Sequence, residues 1–366
     1  MSKAAELAAL IANVNKGSSL AAKNFVINGA MNVAQRGTSQ TGIGGGNNEG
    51  YKTVDRFSIG GDGSSAGRLT MTQTADGPSG FANCLKLACT TADTSIASGE
   101  YLVLEHAFEG QNLQSIAKGT ADAKPITVSF YVKGNASATY VVELNDQDNS
   151  RSISKSFSVT TSWSRVELNI PADTTGAFDD DTAKSLSLYF WLHAGSNFSS
   201  GTLNTSWGSR TSANLAVGIS SFFDSTSRTF FMTGLQVEIG EKATEFEHIN
   251  SFEIELAKCR RYYIKFQAKS AYSYYGSGVS SATTTARIFK SFPVEMNHIP
   301  VLEQSANSTW NIYPGGAFTA DATINNASTW GSAITCTTGA SQNANGASHC
   351  TANNSTDAYF AFESEL

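Results

Sequence analysis

Short runs in which every second side chain is apolar dominate residues 24–250. Residues 126–132 are the clearest run, and one strand face would carry Ile126, Val128, Phe130 and Val132. Residues 140–144 and 153–159 continue the pattern on either side of the turn-rich residues 145–150, which is typical of a β-hairpin. A succession of short antiparallel strands separated by turns predicts a β-sandwich, most economically a jelly roll, over residues 24–250.

Two segments depart from this alternation and are predicted to be helical. Residues 1–23 carry a short heptad seam formed by Ala4, Leu7, Ile11 and Val14. Because so short a helix is marginal alone in water, it could form a parallel bundle with other copies, dock on another protein, or fray. Residues 251–266 have acids near their start and bases near their end, which matches a helix dipole and predicts a linker helix. Residues 267–366 return to short strands and predict a smaller C-terminal β-domain, so the fold class is mainly β.

Composition and charge exclude several classes of protein. The 366 residues carry 25 basic and 31 acidic side chains, and the one basic cluster lies in the predicted linker helix, which argues against nucleic-acid binding. We expect no membrane insertion and no signal peptide, because no apolar run is long enough and the N-terminus is charged. The five cysteines have no paired spacing, although a Cys336–Cys350 link across a loop stays open.

The search for catalytic motifs turns up little. The five histidines are isolated, and no phosphate-binding loop occurs. Glycoside cleavage needs only a pair of carboxylates, which could come from different strands. The acidic residues nevertheless concentrate in turns and in the linker helix, where solvation explains them. We therefore predict that the protein is not an enzyme and has no catalytic cofactor.

Two acidic turns are the candidates for a structural calcium ion, which prefers carboxylate, amide and backbone oxygens. Neither turn has the spacing of an EF-hand loop, and the alternative for both is a solvated loop. The candidate ligands are Asp146, Asp148, Asp179, Asp180 and Asp181.

Aromatic side chains among polar residues are the candidates for ligand contact. Tyrosine and tryptophan rings stack on the C–H faces of sugars, while amides and carboxylates bind the hydroxyl groups. The candidates are Tyr272, Tyr274, Trp310, Tyr313 and Trp330 in the C-terminal domain, and Tyr189 and Trp191 in the sandwich. For Tyr189 and Trp191 the alternative is packing against a neighbouring chain or the N-terminal segment. For Trp310 and Trp330 it is packing in the core.

Several strings of residues resemble a known family. Residues 24–38 (NFVINGAMNVAQRGT) are followed by VDRF at 54–57. Residues 234–248 (GLQVEIGEKATEFEH) run into 255–263 (ELAKCRRYY), and residues 292–296 read FPVEM. In this order the strings resemble tail-fibre and adhesin proteins of tailed bacteriophages.

The resemblance implies a homotrimeric virion component made in the host cytoplasm. It implies a carbohydrate-binding-like jelly roll and a distal β-domain that meets a glycan of the host surface, and it supplies no catalytic motif. The predicted function is host attachment by a virion fibre, held to other virion proteins of a tail, baseplate or capsid through residues 1–23. The alternatives are a structural spacer or capsid decoration without a receptor role, and a glycan depolymerase.

Overall fold

The computed structural model describes residues 24–249 and 251–366. The predicted N-terminal helix, with Ala4, Leu7, Ile11 and Val14, lies outside the described residues. The rest of the chain is mainly β, as predicted, and folds as an antiparallel jelly-roll-like sandwich followed by a smaller β-domain.

The sandwich consists of two antiparallel sheets. The six-stranded sheet has the order β1-β4-β5-β13-β7-β10, and the seven-stranded sheet has the order β12-β9-β8-β11-β6-β3-β2. The strands are β1 (Ser39–Ile43), β2 (Gly50–Tyr51), β3 (Ser58–Gly61), β4 (Arg68–Thr74), β5 (Cys84–Thr91), β6 (Tyr101–Glu109), β7 (Ile126–Gly134), β8 (Ala138–Asp146), β9 (Arg151–Val159), β10 (Ser164–Ile170), β11 (Lys184–Ala194), β12 (Gly208–Ser209) and β13 (Thr229–Ile239).

The alternating apolar side chains fill the space between the two sheets. Phe130 of β7 contacts Phe157 of β9 and Phe190 of β11 edge-on, with ring centroids 5.0 and 5.1 Å apart. The predicted inward face of β7 is completely buried, as is the face of β11 that carries Leu186, Leu188, Phe190 and Leu192. Because side chains alternate between sheet faces, the other half of each strand points away from this core.

A long connection covers part of the outer face of the seven-stranded sheet. Residues 195–220 begin with the short helix α1 (Ser196–Ser199) and lie against β6, β8 and β11. Phe198 contacts the ring of Trp191 at 5.2 Å, and Leu215 is buried beside it. This second apolar cluster explains why so many outward-facing residues of these strands are buried.

The linker helix is shorter than predicted. Helix α2 (Phe252–Arg260) ends where the aromatic and β-branched residues after Arg261 begin strand β14 (Tyr263–Gln267). The sequence assignment of residues 251–266 to one helix was therefore wrong in its last third. Those residues belong to a sheet of the C-terminal domain, because Ile264 pairs with Phe362 of strand β23 and both side chains lie in its core.

The C-terminal domain packs a three-stranded sheet, β14-β23-β17, against a seven-stranded sheet, β19-β18-β22-β15-β16-β21-β20. Its core includes Phe360 and Phe362 from the small sheet and Ile288 and Ile334 from the large one. The further strands are β15 (Tyr274–Ala282), β16 (Thr285–Ser291), β17 (Val301–Gln304), β18 (Trp310–Tyr313), β19 (Gly316–Ala317), β20 (Thr323–Ser328), β21 (Gly331–Thr337), β22 (Ala347–Ala352) and β23 (Tyr359–Glu363).

Two further predictions concern cysteines and membranes. All five cysteines are free and buried, so the Cys336–Cys350 link left open by the sequence is not formed. Burial raises the pKa of both thiols, which keeps them protonated and inert. Among the described residues, no helix is long and apolar enough to cross a membrane.

Candidate functional site

An aromatic platform lies on the outer face of the large C-terminal sheet. Tyr313 of β18 pairs directly with His349 of β22, and their rings stack with centroids 5.3 Å apart and planes 28° from parallel. Tyr274, at the start of β15, lies on the other side of the same histidine at 6.4 Å. We call Tyr274, His349 and Tyr313 the platform. Both tyrosines are 63% exposed, so their ring faces are open to solvent.

Polar side chains surround the platform on the same face. Asn311 and Tyr274 both pair with Thr351, which places an amide and a hydroxyl two positions from His349. Ser277 pairs with His349 and hydrogen-bonds the phenol of Tyr274. Flat exposed rings bordered by hydroxyl and amide groups are suited to a ligand that has both C–H faces and hydroxyl groups.

The platform contains only part of the predicted set of C-terminal aromatic residues. Tyr272 and Trp330 are exposed, but within the described residues neither ring contacts another aromatic ring. Trp330 lies in the turn between β20 and β21, on the far side of the sheet order from β18. His349 was not predicted, although its alternation with the buried Ser348 and Cys350 would have placed it on the outer face.

Trp310 is a core residue, which corrects its assignment to a ligand site. Its indole is 2% exposed and stacks on Phe360 with centroids 4.2 Å apart. The reason is visible in strand β18, where Trp310 and Ile312 point inward and Tyr313 ends the strand facing outward. A ligand therefore reaches Tyr313 but not the face of Trp310.

A shallow groove marks the open part of the outer face of the large sandwich sheet. It has a volume of about 170 Å³ and is lined by Gly60, Tyr101, Val103, Glu105, Tyr189 and Trp191. Tyr189 is half-buried at its floor, whereas Trp191 is 3% exposed beneath the connection 195–220. The assignment of Trp191 to ligand contact is thus corrected. Within the described residues, the connection 195–220 of this chain covers Trp191.

The carboxylates next to Tyr189 are held by other side chains. Glu105 and Glu143 occupy the cross-strand positions on either side of Tyr189. Glu105 accepts hydrogen bonds from Ser187 at 2.7 Å and Lys184 at 3.1 Å. Glu143 is fully buried and accepts hydrogen bonds from Arg210 Nε at 2.7 Å and Trp191 Nε1 at 2.8 Å.

The electrostatics of this groove follow from burial. Burial raises the pKa of Glu143, with the charge of Arg210 opposing the change. Burial and then the charge of Glu105 raise the pKa of Tyr189, so this phenol stays neutral at physiological pH. The groove therefore presents a neutral aromatic ring beside one partly exposed carboxylate.

The candidate calcium ligands of the two acidic turns have other partners or lie at the surface. The ammonium of Lys118 pairs with the buried Asp146 and lies 3.2 Å from Asp173. Asp148 accepts a hydrogen bond from the backbone of Asp179 at 3.0 Å. Asp179, Asp180 and Asp181 are exposed or at the surface, and the described residues contain no cluster of three metal-binding side chains.

Comparisons with known proteins assign the chain to no family. No protein-family model and no curated protein matches it. The enzymatically active domain of tailspike protein 4 of bacteriophage CBA120 aligns at 12% identity and a TM-score of 0.32, over 60% of this chain and 22% of that one. The chain therefore spans about a fifth of that tailspike domain.

Two carbohydrate-binding modules are also similar to part of the chain. A family 4 module aligns at 11% identity and a TM-score of 0.30, over 59% of this chain and 99% of the module. A family 11 module from a cellulosomal cellulase of Clostridium thermocellum aligns at 11% identity and a TM-score of 0.28, over 54% and 96%.

Proposed function

We propose that this protein binds surface glycans through the platform of its C-terminal domain, as a fibre component that attaches a bacteriophage to its host. The observation that carries the proposal is the stacked, solvent-facing arrangement of Tyr274, His349 and Tyr313. A contiguous group of exposed aromatic rings is typical of a surface that binds a ligand or a partner.

A sugar is the ligand that fits this chemistry. Pyranose rings offer C–H faces to the tyrosine rings, and their hydroxyl groups find partners in Asn311, Ser277 and Thr351. A shallow platform binds one glycan weakly. Several copies in one fibre raise the effective concentration and make the attachment strong.

The virion part of the proposal is supported by the family resemblance of the sequence strings. In this account the protein is a homotrimer, and residues 1–23 hold it to other proteins of a tail, baseplate or capsid. Mass measurement of the full chain tests the trimer. A monomer at micromolar concentration would count against it.

The proposal assigns the protein no hydrolase activity, which separates it from a depolymerase. The carboxylates nearest an aromatic groove, Glu105 and Glu143, are each engaged by a basic side chain, Lys184 and Arg210. A general acid in glycoside cleavage has to contact the substrate in order to donate a proton to it. Glu143 is fully buried and does not contact solvent or a ligand in the groove. Incubation with host polysaccharide is expected to release no new reducing ends.

A glycan array tests the binding function directly. Wild-type protein is expected to bind a subset of bacterial surface polysaccharides, and Tyr313→Ala to lose about tenfold or more in apparent affinity. Phe252→Ala is the matched control, because Phe252 is a similarly exposed aromatic on helix α2. Equal binding by wild type and Tyr313→Ala would remove the platform from the function. If neither wild type nor Tyr313→Ala binds any glycan, the alternative of a structural spacer is favoured.

A further inference from the structure

A small cavity opens on the inner side of the large C-terminal sheet, where Tyr274 begins strand β15. It has a volume of about 130 Å³ and is lined by Phe266, Gln267, Ala268, Ser273, Tyr274, Tyr275, Lys290 and Trp310. Tyr274 borders the cavity, but its ring lies on the outer face with the platform. Tyr275, Lys290 and Trp310 point to the inner face, so the cavity is separate from the platform. The volume is several times the ~15 Å³ that admits one water, which leaves room for a carboxylate or phosphate group.

Among the lining residues that the structure describes, Lys290 is the only one whose side chain carries a full charge. Its ammonium lies 4.2 Å from the ring centroid of Phe266 and 4.7 Å from that of Tyr275, and it donates a hydrogen bond to the Tyr275 carbonyl at 3.1 Å. Within the part of the chain that the structure describes, it forms no salt bridge. The remaining N–H donors of the ammonium are free for a ligand.

This environment is unusual for a lysine. Exposed lysines need no partner because water solvates them, but Lys290 is half-buried against aromatic rings. Burial lowers the pKa of Lys290, and no carboxylate opposes that effect. Lys265 is the useful comparison, because it also lies over an aromatic ring, Tyr359 at 4.4 Å, but has the charge of Glu303 nearby.

We infer that this cavity is a second subsite, which binds the anionic group of an acidic sugar with Lys290 as its counter-charge. The inference rests on the proposed function and narrows it to acidic glycans. The group required is an anionic oxygen cluster, which either a uronic-type carboxylate or a sugar phosphate supplies. Ser273 and Gln267 also line the cavity and add polar side chains to it.

Calorimetric titration of the full chain with matched oligosaccharides tests the inference. The ligands are a uronic-acid oligosaccharide, its methyl ester, which has the same shape without the charge, and a phosphorylated oligosaccharide. Wild type is expected to bind at least one acidic ligand about tenfold or more tightly than the methyl ester. The preference should weaken as salt is added. The two acidic ligands tell a carboxylate site from a phosphate site.

The variants assign the preference to one side chain. Lys290→Met keeps the packing on Phe266 and Tyr275 but removes the charge, so it should bind acid and ester equally. Lys290→Arg should retain a preference for the acid, which guards against a simple folding defect. Lys265→Met is the matched control and should behave as wild type.

The inference and the proposed function fail in different ways. Suppose that wild type binds glycans, that Tyr313→Ala does not, and that wild type binds the acid and the ester equally. Only the inference is then overturned. If Lys290→Met keeps the full preference for the acid, the inference is likewise wrong. If no neutral or acidic glycan binds at all, the proposed function falls and the inference falls with it.

Discussion

Arg56 and Tyr262 pack face to face across the junction of the two β-domains, with the guanidinium carbon 3.5 Å from the ring centroid. Arg36 stands over the adjacent Tyr263 in the same way, at 3.7 Å. Both arginines pair with Glu365, close to the C-terminus. The strings VAQRG, VDRF and RRYY, which lie far apart in the sequence, therefore meet at the junction of the two domains.

Loss of Arg56 is expected to destabilise the junction strongly. The side chain is 1% exposed, pairs with Glu365 and donates to the carbonyl of Ala107 at 2.8 Å. Arg56→Met would leave the buried Glu365 with one partner fewer, at a cost of about 3–5 kcal/mol in the free energy of unfolding. Arg228→Met is the control. Its pair with Asp224 is at the surface, and we expect a cost of about 0–1 kcal/mol.

Urea unfolding followed by intrinsic fluorescence measures both variants. A second readout is limited proteolysis, since a loosened junction should expose the segment around helix α2 to cleavage. Equal stability of the Arg56 and Arg228 variants would show that the junction does not depend on the cation–π pair and its carboxylate.

Acid–base behaviour at the same junction gives a second prediction. Burial raises the pKa of Glu363 from 4.5 to about 7, with the charge of Arg36 opposing and a hydrogen bond to Glu303 adding to it. Because the folded chain holds this proton more tightly than the unfolded chain, the stabilising contribution is fully present below about pH 4.5. It is lost as the pH rises through about 7.

Glu363→Gln imitates the protonated carboxyl and should remove this dependence. The free energy of unfolding of the variant, relative to wild type, is expected to rise between pH 4.5 and 7.5. Urea titrations at several pH values measure this difference. A difference that stays constant, or that falls with pH, would contradict the assignment.

The two tryptophans of the C-terminal domain that were predicted as ligand contacts should differ in their effect on stability. Trp310→Ala removes a stacked core side chain and is expected to cost about 3–5 kcal/mol in the free energy of unfolding. Trp330→Ala removes a side chain that is 60% exposed and should change stability by about 0.5 kcal/mol or less. Thermal unfolding of both variants is sufficient. A stable Trp310→Ala protein would mean that the core packing described here is wrong.

The local alternation of side chains predicted much of the fold. Strands β7, β8 and β9 and the hairpin between β8 and β9 follow directly from the sequence, because burial of every second residue is a local property. The same rule, applied to β18, would have separated Trp310 and Ile312 from Tyr313. Their polar neighbours in the sequence concealed the pattern.

The candidate site depended on information that the sequence does not carry locally. Tyr274, His349 and Tyr313 come together only through the register of β15, β22 and β18, and such long-range pairing cannot be read from one sequence. The burial of Trp191 under residues 195–220 has the same cause. The end of helix α2 was misplaced because the boundary is set by where β14 joins its sheet.

Competition with virus adsorption is the most direct measurement of the central claim that the platform attaches the fibre to a host glycan. Host cells are incubated with an excess of wild-type, Tyr274→Ala/Tyr313→Ala or Phe252→Ala protein before virus is added, and unadsorbed virus is counted. We predict that wild type and the Phe252 control slow adsorption and that the double variant, although folded, does not. Equal competition by the double variant would contradict the account.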